Sequence, residues 1–166
     1  EFADKTHDRA FTLDLEKQVK PDGWQAKAIR NTVIDFGSVN ELFEKAERTH
    51  SKLILDMLKK LVNSEFTNIL ERQFGIGWGN RFEAQSLRFI SVYKDCGGHE
   101  ADALEHLLIT RVLRKGKVLG RYDISIDKLK DLKSALSKMF KSINGTATKA
   151  IEIIESEITR KEEGVY

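Results

Sequence analysis

Only one proline, Pro21, stands in the 166 residues, so beyond it the backbone meets no residue that forbids a helical turn. Glycine and hydrophobic spacing must then set the helix boundaries. Ser38 or Asn40 is placed to cap a helix carrying Leu42, Phe43 and Ala46, and residues 52–62 bring Leu53, Ile54, Met57, Leu58 and Leu61 onto one face. A short helix through Phe66, Ile69 and Leu70 should close at Phe74-Gly75. The next starts after Gly79, with Asn80 as N-cap and Glu83 completing a capping box, and continues through Phe82, Leu87, Phe89, Ile90 and Tyr93 to Gly97-Gly98. Residues 100–113 hold Ala103, Leu104, Leu107, Leu108 and Val112 and are expected to form the central helix, followed by a polar excursion bounded by Gly116 and Gly120. Leu129, Leu132, Leu136 and Met139 mark a helix over 127–140, and Ala147, Ile151, Ile154 and Ile158 mark a last one. The spacing predicts an all-α, multi-helix bundle.

The N-terminal stretch reads differently. Phe11, Leu13 and Leu15 alternate as a half-buried strand does, and Pro21-Asp22-Gly23 reads as the turn that ends it. A lone strand cannot satisfy its own backbone, so this one is expected to pair within an assembly or to belong to a sheet whose other strands lie outside the chain. The opening residues show neither a start Met nor a targeting pattern, which points to the tail of a larger machine. Residues 24–36 read as a connector of moderate helical tendency. The expected organisation is an extended remnant over 1–22, a helical domain over 23–142 and a C-terminal amphipathic helix over 143–166.

With 40% apolar residues, a chain of this length can close a core without cross-links. The one cysteine, Cys96, excludes an internal disulfide framework, and no long apolar run suggests a membrane span, so the expected location is the cytoplasm, with no membrane partner. Lys plus Arg number 28 against 26 Asp plus Glu, a net charge of +2, so any attraction for nucleic acid must come from local patches.

The motif Asp4-Lys5-x-x-Asp8-Arg9-Ala10-Phe11-x-Leu13 resembles the segment that follows sensor 1 in AAA+ NTPases of the McrB-like restriction class. Gly79-Asn80-Arg81-Phe82-x-x-Gln85-x-x-x-Phe89 resembles their sensor 2 helix, and Ala103-Leu104-Glu105-His106-Leu107-Leu108-Ile109-Thr110-Arg111-Val112-Leu113 resembles the lid helix after it, in the same order. The likeness spans roughly residues 1 to 140. Two positions depart from the pattern: Arg114 stands where the family often has Pro, and Asn80 precedes the sensor arginine where an aromatic is common. The resemblance implies a helical lid over ATP or GTP with Mg, the nucleotide held mainly by an upstream AAA+ core in a homo-oligomeric ring, and a role in DNA restriction or phage defence. No Gly-x-x-x-x-Gly-Lys-Ser/Thr loop and no strand ending in adjacent acids is present, so this chain is expected not to hydrolyse nucleotide alone.

Arg81 falls in the first turn of a helix, where the dipole disfavours a cation unless an anion lies opposite. A phosphate held by Gly79, Asn80 and Arg81 supplies that anion, and a nearby carboxylate is the plainer alternative. Arg9 matches in position an arginine that reaches a neighbour's γ-phosphate, with a local ion pair to Asp8 or Asp4 as the simpler reading. Arg111, Arg114, Lys115, Lys117 and Arg121 form a basic run, and Lys128, Lys130, Lys133, Lys138 and Lys141 stud the next helix. This is the strongest nucleic-acid signal, and it supports the alternative of a stand-alone adaptor binding nucleic acid or protein through 111–141. Cys96, His99, Asp102 and His106 have donor types suited to zinc, but they miss the His-Glu-x-x-His pattern, and no metal is expected there.

Overall fold

The computed structural model describes residues 35–164, which form six α-helices and no strand. The expected strand at Phe11–Leu15, the turn at Pro21, Arg9 and nearly all of the 24–36 connector lie outside the described residues. The first described helix, α1 (Phe36–Val62), fuses two segments that the spacing separated. Nothing in Glu47-Arg48-Thr49-His50-Ser51 breaks a helix, so the two apolar stripes share one continuous backbone. Its cap is neither Ser38 nor Asn40 but Asp35, whose carboxylate accepts the Ser38 amide at 3.0 Å from an extended backbone. The Ser38 hydroxyl and amide hold the Asp35 carboxyl below the usual carboxylate range.

Ser64 caps α2 (Glu65–Ile69), which widens into a π turn over Leu70–Phe74. Gly75 ends it at a φ of 68°, and the Gly75 and Ile76 amides both reach the Leu70 carbonyl. Next come α3 (Asn80–Asp95), α4 (Glu100–Arg111), α5 (Ile126–Ser142) and α6 (Thr148–Glu162). Helix α4 is central, as expected: Ala101, Ala103, Leu104, Leu107 and Leu108 are all buried. They meet Ile54, Leu58 and Leu61 of α1, Phe66 and Leu70 of α2, Leu129, Leu136 and Phe140 of α5, and Ile154 of α6 in one apolar core. Each Leu, Ile or Phe among them contributes about 1.5–3 kcal/mol on leaving water.

Two features fix how α3 and α4 sit together. The tight link through Gly97-Gly98 is locked by Lys94, whose ammonium donates to Glu100 at 2.6 Å and pulls that carboxyl below its ordinary range. One turn farther from the link, Phe89 of α3 stacks on His106 of α4, with ring centroids 5.8 Å apart. The pair is an antiparallel hairpin, so the start of α3 lies beside the end of α4.

Helix α6 joins the same core through Ala150, Ile154 and Ile158. Ala147, at its N-cap position, offers no capping side chain, and Glu105 of α4 supplies one, accepting the Ala150 amide at 2.9 Å.

Candidate anion-binding cleft

The hairpin has a consequence that charge spacing alone could not give. Arg81, near the start of α3, and Arg111, Arg114 and Lys117, at and beyond the end of α4, line one cleft of about 460 Å³. Ile76, Trp78, Phe82 and Gln85 complete much of its wall, and no carboxylate lines it among the described residues. Arg81 and three residues of the basic run, Arg111, Arg114 and Lys117, therefore meet in one place.

The local chemistry at the start of α3 differs from the capping box read in the sequence. Gly79, in extended backbone, is the N-cap, Asn80 is the first helical residue, and no side chain caps the turn. Gly79 holds the extended geometry usual for an N-cap, so the helix begins one residue earlier and Asn80 lacks the non-helical geometry a cap needs. The Phe82 and Glu83 amides turn back to the Gly79 carbonyl, at 2.9 and 3.4 Å. Among the described residues Arg81 has neither an ion-pair nor a hydrogen-bond partner, and it is exposed. The plainer alternative, a carboxylate beside Arg81, is thus not found among them.

The preceding turn is anchored by aromatic groups. Trp78 donates its indole N–H to Thr67 at 2.8 Å and packs against Phe82, with centroids 4.7 Å apart. The opposite wall is the loop over residues 114–121. Gly116 and Gly120 take positive φ values of 85° and 66°, and the Gly116 amide closes on the Leu119 carbonyl at 2.8 Å. Buried Val118 pins the loop to the core.

The other members of the basic run have different settings. Lys115 is exposed and lies outside the cleft lining, its stem running alongside Gly120. Arg121 is turned to structural work: its guanidinium pairs with Asp123 and donates to the Phe74 and Lys117 carbonyls at 3.0 and 3.2 Å. That bonding raises the Arg121 pKa and lowers that of Asp123. On α5, Lys133 and Lys130 face Glu155 and Glu162 of α6, at 3.1 and 3.7 Å.

The donors Cys96, His99, Asp102 and His106 have separate surroundings. Cys96 is an exposed C-cap, His99 accepts the Ala101 amide through Nδ1, and His106 stacks on Phe89. Among the described residues no three His, Cys, Asp or Glu side chains gather to hold a metal ion. None of the described helices is long and apolar enough to cross a membrane.

The sequence reading missed Trp78 and Phe82 as cleft residues, although their placement on either side of Arg81 was a usable signal. It also missed Glu157 and Lys161 of α6, both buried, which follow the Ile154 and Ile158 stripe at helical spacing. No protein-family model, curated protein or solved structure matches the chain.

Proposed function

We propose that this chain is the helical lid of an AAA+ NTPase, with Arg81 sensing the terminal phosphates of ATP or GTP held mainly by an upstream core. The supporting observation is the convergence of Arg81 with Arg111, Arg114 and Lys117 on one cleft beside an uncapped helix start. Free amides of a first helical turn and guanidinium forks both suit phosphate oxygens. The cleft volume also falls within the range of small-molecule sites.

The donor set fits phosphate and not magnesium, since no described lining residue is a carboxylate or another hard anionic ligand. Carboxylates for Mg would come from the upstream core. In this reading the bundle carries the nucleotide state to ring neighbours by moving as a unit, and the whole protein serves DNA restriction or phage defence. Arg9 remains a proposed arginine finger toward a neighbouring subunit.

The reading frame that encodes Glu1 tests this directly. It should carry a Gly-x-x-x-x-Gly-Lys-Ser/Thr loop upstream in frame, and nucleotide turnover by that intact protein should fall sharply on Arg81→Ala while its helical content is unchanged. A frame without such a loop, or unaltered turnover, overturns the reading. The alternative adaptor would instead show salt-dependent duplex binding by the 166-residue chain, lost on charge reversal at Arg111 and Arg114.

A further inference from the structure

We propose that Glu157 and Lys161, on α6 and outside the cleft, are positioning residues that hold its cationic loop in register, so that anion binding depends on the C-terminal helix. The proposal deepens the phosphate-cleft reading and rests on it. Both side chains are more than nine-tenths buried, at 6% and 8% exposure, and they stand one helical turn apart. Each makes a short hydrogen bond to the backbone at the end of the 114–121 loop. Glu157 Oε1 accepts from the Gly120 amide at 2.7 Å, and Lys161 Nζ donates to the Arg121 carbonyl at 2.6 Å.

Burying a carboxylate and an ammonium is a poor route to stability, because desolvation offsets much of what their contacts return, including the Glu157 contact with Arg160 at 3.7 Å, and apolar residues of similar size often serve as well. What the pair does supply is direction. One acceptor and one donor on a rigid helix grip the two peptide units that flank the Gly120–Arg121 bond, which fixes both the position and the rotation of the backbone between Gly120 and Arg121. Gly120 is a positive-φ glycine and therefore the joint at which the loop is freest to swing. From the same point, Arg121 donates to the Phe74 and Lys117 carbonyls, tying the loop to the end of the π turn just before the opposite cleft wall. A chain of hydrogen bonds thus runs from α6, through the loop, to the backbone that carries Arg114 and Lys117. Displacing α6 would release two of the cleft's cations together.

The test uses the 166-residue chain and inorganic tripolyphosphate as probe, with affinity measured by calorimetry across a salt series. Glu157→Ala and Lys161→Met should each weaken binding by about tenfold and flatten the salt dependence, with helical circular dichroism unchanged. Glu157→Gln, which keeps an acceptor for the Gly120 amide, should stay within about twofold of the unaltered chain. A purely structural role would reduce the folded fraction and leave the salt slope of the remaining sites intact. Should Glu157→Ala not fold, Lys161→Met, close in length and apolar, decides the matter. If Arg81→Ala and Arg114→Ala lose tripolyphosphate while Lys161→Met binds with unchanged affinity and slope, the positioning role is overturned and the cleft stands. If the unaltered chain does not bind tripolyphosphate, the cleft reading falls and takes the positioning role with it.

Discussion

Trp78 and Thr67 are joined by a hydrogen bond of 2.8 Å from the indole N–H to the hydroxyl, and the Thr67 hydroxyl in turn donates to the Leu61 carbonyl at 2.6 Å. The relay ties the turn before α3 to both α2 and the end of α1. Replacing the buried Thr67 by Val should strand the indole donor, while the Leu61 carbonyl keeps the Ser64 hydroxyl and amide, destabilising the fold by about 1–3 kcal/mol. Urea denaturation checks the loss, and Trp78 emission should shift to the red as its turn loosens.

The cleft cations should act as a set. Arg81→Ala and Arg114→Ala should each weaken tripolyphosphate binding by roughly tenfold to hundredfold, the value of one charge-assisted contact. Lys115→Ala, which removes a charge outside the cleft lining, should change the affinity little. Equal effects from Lys115 and Arg114 would mean that net charge, and not the cleft, recruits the anion.

Two glycines should respond oppositely to alanine. A Cβ at Gly145 would stand 2.4 Å from the Ala101 Cβ, so Gly145→Ala should force α4 and the α5–α6 connection apart at about 1–3 kcal/mol. Gly77 has nothing within 4 Å of that position and no positive φ, so Gly77→Ala should be neutral or stabilising by up to about 1 kcal/mol. Paired thermal melts compare them.

Acid should act partly through His106. Burial against α3, with Lys149 nearby, lowers its pKa below the ordinary 6.5, so the unfolded chain takes up this proton more readily than the folded one. The stability held by the neutral ring is complete above pH 6.5 and declines as pH falls from there toward the lowered folded value. His106→Phe keeps a ring against Phe89 and removes the titration. Its loss of stability between pH 7.5 and pH 5.5, by denaturant midpoint, should be smaller than that of the unaltered chain, and an equal loss would exclude His106 as the acid-sensitive group.

Most helices were legible because Leu and Ile recur at three- and four-residue steps, as over Leu129, Leu132, Leu136 and Met139, and nothing local competes with that periodicity. Boundaries failed where several residues offered the same local chemistry. Asp35, Ser38 and Asn40 can all cap, and Asp35 does so through local bonds to the Ser38 amide and hydroxyl, with α1 starting at an exposed Phe36. At α3 the spacing favoured Asn80 for its side chain, whereas the helix starts one residue earlier, from an extended Gly79 with no side-chain cap. The cleft itself was half legible. Arg81 and the basic run were each visible, but their meeting depends on the hairpin turning tightly at Gly97-Gly98, a contact between residues some thirty positions apart. Buried charges on α6 left no trace in hydrophobic spacing, since Glu157 and Lys161 occupy positions where an amphipathic pattern expects either apolar or solvated residues.

The wide turn at Leu70–Phe74 makes chain length there a matter of phase. Removing one residue would restore ordinary α winding and rotate whatever follows by about 100° around the helix axis. Removal of Gln73 would keep every charge and every apolar residue, yet the segment through Gly75, Trp78 and Arg81 would leave α2 in another direction. The width of that coil sets the direction in which the chain leaves α2 toward the cleft.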